Sequence, residues 1–492
     1  LYDFFSKYCE QYSEKKLFLK ENITYAQALK LAKERATFIQ AQGYQPGDVI
    51  AILSVNSAAW VITYMALTFC GMYALLLDTN LNEEIYKEML GIVKAKALFV
   101  SNEFSAMNFN LTTFNIGLDH HLGKVADYQQ PKLTKDTIAS LSFTSGTTGN
   151  AKVVPLSHYN VWRTSEATAQ RWGEPYYNKV VYGILPIYHV YGMVCSATGA
   201  FVAGSGIVFQ TSLKATEILK DLQEYKVNVL PAVPRIWENF LDRIMKRFKE
   251  EKPFKTALLK FCVEHGHQLK KVGFAPLLKY LFQPIHDLFG GSHSFFVSGG
   301  AALKKEYQQA YLNMGFNMAP VFGVTETVGP ILVSHTTIRK LGSGGKPTEG
   351  NQMEIRNANA EGVGEVWLRG DSVFAGYYQN EEATRAVFDE RGWFNSGDLG
   401  FIDREGDLHL CGRKKNVIVL NSGKNVYPED IVAHYKKSPL ISELSVFGRE
   451  VNGKELVYAV IVPEQKDKEA YLRISDVLRK LGHGLPTYKR IG

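Results

Sequence analysis

Apolar positions along this chain keep two different spacings, and the spacings alternate. From Thr24 to about Gln42 the residues Ala28, Leu31, Ala32, Ala36 and Ile39 recur every three or four positions, which predicts an amphipathic helix capped by Thr24 and ended at Gly43. Pro46, Gly47 and Asp48 then signal a turn, and the unbroken apolar run Val49 to Leu53 predicts a buried strand. The same helix-then-strand order returns at Glu217 to Lys226 followed by Val227 to Leu230. Alternation of this kind builds a mostly parallel sheet covered by helices, so the first part of the chain reads as α/β.

Two uncharged stretches are long enough to raise the question of a membrane span. Gly71 divides Ser57 to Leu77 into a helix-length piece and a strand-like piece, Tyr73 to Leu77, which predicts a buried helix, turn and strand. Pro186 and the glycines at 183, 192, 199, 204 and 206 punctuate Val181 to Leu213, which reads as strand, loop, helix and strand. After about Asn351 the texture shifts to short strands, Gly364 to Arg369 and Leu408 to Leu410, between Gly and Asp turns, predicting a β-rich subdomain over 351–412. Residues 413–416, a charged link through Arg413, Lys414, Lys415 and Asn416, precede a strand at Val417 to Leu420. The remainder, 417–492, reads as a small α+β domain beside the large N-terminal α/β domain of residues 1–412.

Composition narrows the class. With 492 residues and 46% hydrophobic content the chain can bury a large core and should divide into more than one domain. The net charge of +7 suits an anionic ligand, but basic and acidic residues are interleaved and no helix-turn-helix or RRM pattern is present, which argues against nucleic acid. Cys9, Cys70, Cys195, Cys262 and Cys411 are too scattered for a zinc motif or a disulfide framework, and a reducing cytosol is the simplest setting. His265 and His267 read as a solvated helix face rather than a metal site.

The stretch Ser142 to His158, SFTSGTTGNAKVVPLSH, carries the strongest chemistry. Its glycines let backbone N–H groups curl round phosphate oxygens, Thr144, Ser145, Thr147 and Thr148 add hydroxyl donors, and Lys152 adds a positive charge. Gly146 and Gly149 are spaced differently from the Walker A pattern G-x-x-x-x-G-K-S/T, so an ordinary P-loop is excluded.

This loop resembles S/T-S-G-T-T-G-x-P-K of the adenylate-forming superfamily, which comprises acyl-CoA synthetases, peptide-synthetase adenylation domains and luciferases; Ala151 stands where the proline is usual. Further matches follow in the family's order. Leu185 to Gly192, LPIYHVYG, resembles the segment whose histidine lies beside the substrate carboxylate, which implies that role for His189. GGAAL, with Gly300 and Ala301, resembles the adenine-pocket loop, and VFGVTE resembles Y-G-x-T-E. The latter implies Phe322 and Gly323 at the adenine, Thr325 at the α-phosphate, and Glu326, with Thr144, holding the Mg²⁺ that bridges ATP phosphates. WFNSGDLG implies Asp398 as the ribose anchor, accepting from two hydroxyls, with Arg413 assisting.

The resemblance further implies a hinge at Lys415, about which the small domain turns, and a thiol channel flanked by Gly423. It implies two steps: a carboxylate attacks ATP to give an acyl-adenylate and pyrophosphate, then a thiol takes the acyl group and AMP leaves. VPRIWE (233–238) and GKNVYPE (423–429) look most like the long-chain fatty acyl-CoA synthetase branch, which implies a fatty acid as substrate. Coenzyme A or acyl carrier protein can accept the acyl group, since both present pantetheine. A basic and apolar insert, Arg243 to Leu288, can cover the core as a helical pair or make peripheral contact with a membrane. The family's terminal P-x-x-x-x-G-K segment, whose lysine serves adenylation, is not found; it is expected beyond Gly492, and the alternative to which its absence points is a non-catalytic nucleotide- or lipid-binding relative.

Overall fold

The helix predicted after Thr24 runs from Tyr25 to Ala41, closed at its start by a capping box in which Thr24 and Gln27 exchange side-chain and backbone hydrogen bonds. This is a computed structural model, and it describes residues 1–144, 152–212, 214–291, 294–334, 340–420, 425–451, 454–465 and 467–491. On that helix Leu29 rather than Leu31 is among the buried residues, and Arg35 is fully buried as well. Periodicity could not foresee a buried cation. Arg35 is accommodated because its guanidinium donates to the Thr63 hydroxyl and to the carbonyls of Ile116 and His120.

Ser57 to Leu77 folds as the expected helix, Ala58–Phe69, and strand, Tyr73–Leu76, joined through Gly71. Among the described residues no helix is long and apolar enough to cross a membrane. Val181 to Leu213 likewise gives a strand Val180–Gly183, a loop, helical turns from Val190 to Ala203, and a strand Gly206–Phe209.

The chain divides into two compact units, Leu1–Gln352 with Arg369–Gly392, and Met353–Leu368 with Trp393–Gly492. In the first unit a six-stranded sheet orders Thr112–Asn115, Ala97–Val100, Val49–Leu53, Tyr73–Leu76, Ile138–Phe143 and Val153–Ser157, parallel except for the last pair. A nine-stranded sheet has a parallel centre of Asn317–Phe322, Phe295–Ser298, Val229–Ala232, Val180–Gly183 and Gly206–Phe209. These strands are wholly or almost wholly buried, as parallel strands covered on both faces must be. The result is mixed α/β.

The insert Arg243 to Leu288 holds the end of the helix Pro234–Lys249 and then the expected helical pair, Pro253–Lys271 and Ala275–Leu288. Their inner residues Leu241, Phe248, Leu259, Val263, Leu278 and Phe282 enter the same core as Tyr182, Trp237 and Phe296.

The second unit is β-rich at its start. A four-stranded sheet orders Asn351–Arg356, Gly364–Gly370, Phe394–Ile402 and Leu408–Arg413. The strand expected at Val417 to Leu420 is short, Ile418–Val419, and pairs with Asn425–Val426. A long hairpin, Ile441–Val451 with Lys454–Pro463, and the helices Pro428–Tyr435 and Lys468–Gly482 complete the α+β part.

Candidate active site

Most of the motif residues of the first unit lie on turns that follow the carboxyl ends of parallel strands, where α/β sheets place ligands. The strand ending at Gly183 leads to His189, the strand ending at Ser298 to Gly300 and Ala301, and the strand ending at Phe322 to Glu326. Thr144 follows Phe143 at the end of the six-stranded sheet's antiparallel pair, and Lys152 precedes the returning strand. Thr144 N–H donates to Lys152 O at 2.9 Å, and Lys152 N–H to Thr144 Oγ1 at 3.4 Å. Thus the mouth of the hydroxyl-rich loop is closed by its own two ends. Ser145, Gly146, Thr147, Thr148 and Gly149 lie outside the described residues, as does Gly423.

The turn carrying Glu326 is tightly built. Thr327 Oγ1 accepts from Val324 N–H at 2.9 Å and donates to Gly329 O at 3.0 Å, and Gly329 N–H donates to Val324 O at 3.2 Å. A Cβ at Gly323 would stand 1.7 Å from Gly329 O, so only glycine closes this turn. Val328, buried and β-branched, is held at φ +54°, a left-handed conformation such residues rarely take. The compressed backbone fixes where Glu326 leaves the turn. A Cβ at Gly329 would come within 3.1 Å of Val190 O, so this turn also seats against the loop bearing His189.

Glu326 and Lys152 come from motifs more than 170 positions apart, and one side chain that neither motif contains joins them. Tyr377 donates its hydroxyl to Glu326 Oε1 at 2.8 Å, while Lys152 Nζ lies over the Tyr377 ring, 4.5 Å from its centre. Burial raises the Tyr377 pKa well above its ordinary value, and Glu326 adds to the rise, so the phenol stays protonated and donates. Backbone bonds fix the bridge. Phe374 N–H donates to Glu326 O and Tyr378 N–H to Val153 O, each at 2.9 Å. Upstream, Asn160 Nδ2 holds the carbonyls of Asp371 and Val373, and Arg163 Nε pairs with Asp371. Sequence reasoning missed Tyr377 because its segment is a loop without periodicity; its only signal was an aromatic hydroxyl in a glycine-bordered turn.

His189 has a side chain 56% exposed, with Nε2 3.9 Å from Asp78 Oδ2. Desolvation by its surroundings lowers the imidazole pKa below the ordinary value of 6.5, and Asp78 pulls the other way. Asp78 itself is held by Tyr188, whose hydroxyl donates to Oδ1 at 2.8 Å. The adjacent Tyr191 donates to the carbonyls of Ala232 and Val297, both at 3.2 Å, tying the histidine loop to two neighbouring strands. Gly300 and Ala301 are exposed, while Phe322 is buried in its strand opposite Leu332. Thr325 opens the short helical turn Thr325–Thr327.

In the second unit Asp398 and Arg413 face each other across the antiparallel ladder of Phe394–Ile402 and Leu408–Arg413. Arg413 Nε reaches Asp398 Oδ1 at 2.8 Å, with the carboxylate buried and the guanidinium half exposed. Ser396 supports the aspartate, accepting from Asp398 N–H at 3.1 Å while donating to Val366 O at 3.0 Å. Lys414 pairs with Glu365 at 2.8 Å, and Lys415 is exposed on the turn Lys414–Asn416. Lys489 is bound to Asp430 at 3.2 Å.

The donor set suits a nucleotide with a hard cation. In the first unit Glu326 and Thr144 offer oxygens and Lys152 a cation; in the second unit, taken by itself, Asp398 offers a carboxylate that can accept from sugar hydroxyls. Among the described residues no group of three or more His, Cys, Asp or Glu is arranged to hold a metal by itself, so substrate oxygens and water would have to complete any Mg²⁺ shell.

Known proteins resemble this chain in sequence and in fold. The family model described as AMP-binding enzyme matches residues 5–378. The long-chain-fatty-acid–CoA ligase ACSBG2 of Mus musculus is 26% identical over 478 residues, covering 87% of this chain and 71% of that protein. The long-chain-fatty-acid–CoA ligase FadD15 of Mycobacterium bovis is 28% identical over 489 residues, covering 92% and 78%. In fold, O-succinylbenzoate coenzyme A synthetase from Bacillus subtilis, solved in complex with ATP and magnesium ion, superposes with a TM-score of 0.79 at 21% identity, over 100% of this chain and 94% of that one.

Proposed function

The chain belongs to the family of AMP-binding enzymes, with the adenylate-forming acid–CoA ligases as its kin, and on that premise we propose that it activates a long-chain fatty acid with ATP and passes the acyl group to coenzyme A. The observation that carries the reading is the Lys152–Tyr377–Glu326 cluster, which sets a cation and a carboxylate on one aromatic side chain. Fatty acid as the substrate class is supported by VPRIWE and by the names of the two ligases above.

In the first step a carboxylate oxygen of the acid bonds to the α-phosphorus, and the bond from that phosphorus to the bridging oxygen breaks, so pyrophosphate leaves. Lys152 neutralises phosphate charge, Thr325 contacts the α-phosphate, and His189 orients the acid carboxylate; none of them needs to form a covalent bond. Mg²⁺, when bound, supplies neutralisation of the ATP phosphates, and Glu326 with Thr144 would hold it. Asp398, oriented by Arg413, accepts from the ribose hydroxyls. In the second step a thiolate sulfur bonds to the acyl carbon and the carbon–oxygen bond to AMP breaks. Lys415 serves as the hinge for the exchange of steps, and Gly423 flanks the thiol path.

The test is ATP–pyrophosphate exchange over a panel of acids of increasing chain length, followed by parallel transfer assays with coenzyme A and acyl carrier protein. Long-chain acids should support the fastest exchange and coenzyme A the faster transfer. A folded, full-length protein that exchanges with no acid would overturn the reading.

A further inference from the structure

The helices Pro253–Lys271 and Ala275–Leu288 take no part in that chemistry, yet they carry the most exposed large apolar side chains of the first unit. Phe254, Tyr280 and Val272 are 82%, 78% and 69% exposed, whereas elsewhere in that unit no large apolar residue that is described exceeds the 46% of Ile92. Placement on the helix shows that this is not scatter. At about 100° per residue, Phe254, Phe261, His265 and Val272 fall within about 40° of one another, a single line along the helix. Phe261 and His265 lie ring to ring along it, tilted by 48° with centres 4.7 Å apart. On the second helix Leu277, Tyr280 and Pro284 repeat the same spacing. Both helices bury their opposite faces in one core, through Leu259, Cys262 and Val263 and through Leu278, Phe282 and Ile285, which leaves each apolar line on the side of its helix away from that core.

The turn between the helices is ordered. Phe274 N–H donates to Leu269 O at 3.0 Å and Gly273 N–H to Lys270 O at 3.3 Å, a Schellman closure with Gly273 at φ +94°. It presents residues 271–277, every one exposed, as a largely apolar tip. Along the chain the segment has one sign of charge: from His265 to His286 there is no Asp or Glu, although Glu264 and Asp287 border it, and Lys271 and Lys279 are exposed on either side of Phe274 in sequence. Lys270 is engaged internally, its Nζ donating to Leu312 O at 2.8 Å.

We propose that this helical hairpin is a docking surface for an anionic lipid bilayer, with Phe254, Phe261, Val272, Phe274 and Tyr280 entering the interface and Lys271 and Lys279 meeting phosphate or carboxylate headgroups. An apolar line bordered by cations, on a hairpin whose tip segment carries no acids, matches a surface that is apolar beneath and negative above. Docking is independent of which acid the enzyme activates, so its failure and the failure of the catalytic reading are separate results.

The experiment is co-sedimentation of the full-length protein with phosphatidylcholine vesicles, with and without phosphatidylserine. Binding is expected to the mixed vesicles and to weaken with salt. The pair Phe254→Ser with Tyr280→Ser and the pair Lys271→Glu with Lys279→Glu should each lower partitioning at least about tenfold. Exchange without vesicles, using the acid that the wild type activates fastest, should persist in both, showing that they fold. No binding of the wild type to phosphatidylserine vesicles, or equal binding of wild type and both pairs, would overturn the proposal. So would a dimer that both pairs dissolve while vesicle binding is unaffected, since the face would then be a contact between two copies.

Discussion

In the first unit Lys152 and Glu326 sit on separate loops and meet only through a third side chain, Tyr377, whereas in the second unit Asp398 and Arg413 face each other directly across a β-ladder. The ladder pair is fixed by register: any antiparallel sheet that keeps the pairing keeps the contact. The loop cluster has no such guarantee. It depends on a turn strained at Val328, on Gly323 closing against Gly329, and on two backbone bonds that bring the Tyr377 segment to both motifs. Loops at strand ends can thus place charges from distant motifs together, at the cost of needing a positioning residue that no motif announces.

Substitutions separate the two arrangements. The largest effect is expected for Lys152→Ala, which removes the cation held over Tyr377; acid-dependent exchange should fall by about 100-fold or more, mainly in kcat. Glu326→Gln should follow closely, and added Mg²⁺ should restore the loss only in part. In the second unit Asp398→Ala should act on binding instead, raising the KM for ATP by roughly 10- to 100-fold, because a charge-assisted contact is lost and Arg413 is left without its carboxylate. If Asp398→Ala lowered kcat alone, the division between a reacting region and an anchoring region would be broken.

Tyr377→Phe sharpens the comparison further. It keeps the ring beneath Lys152 but removes the hydroxyl from Glu326, so about a tenfold loss of exchange is expected, and Tyr377→Leu should lose more because the cation–π contact goes too. Equal losses in the two variants would mean that the ring holds nothing. The smallest effect concerns His189. Its lowered pKa keeps the imidazole neutral to a more acid pH than a free histidine, so any acid limb it causes should lie below pH 6.5. Removing the counteracting carboxylate by Asp78→Asn should move that limb still lower, by a fraction of a pH unit, in a pH profile of exchange.

Much of the fold was legible because burial writes periodicity into sequence. The Thr24 cap, the buried strand Val49–Leu53, and the helix and strand on either side of Gly71 all follow from local pattern. The insert was harder to read, since its helices carry apolar residues on both the core side and the outer side, and spacing alone does not say which side is which. Of the site, the ladder pair was visible as two motif residues, and the structure added their 2.8 Å contact and the support of Ser396. Tyr377 and Thr327 were not visible. Each acts through one or two hydrogen bonds set by loop geometry, and loops leave no periodic trace.

For the proposed activity, Lys152 and Glu326 must act as one adenylation site organised by Tyr377. The direct test is exchange of labelled pyrophosphate into ATP by the full-length protein, with a long-chain fatty acid and no thiol, comparing wild type with Lys152→Ala, Glu326→Gln and Tyr377→Phe. Exchange that requires the acid, and that falls in all three variants with Tyr377→Phe the mildest, is the predicted result. Exchange that proceeds without acid, or that all three folded variants retain at the wild-type rate, would contradict it.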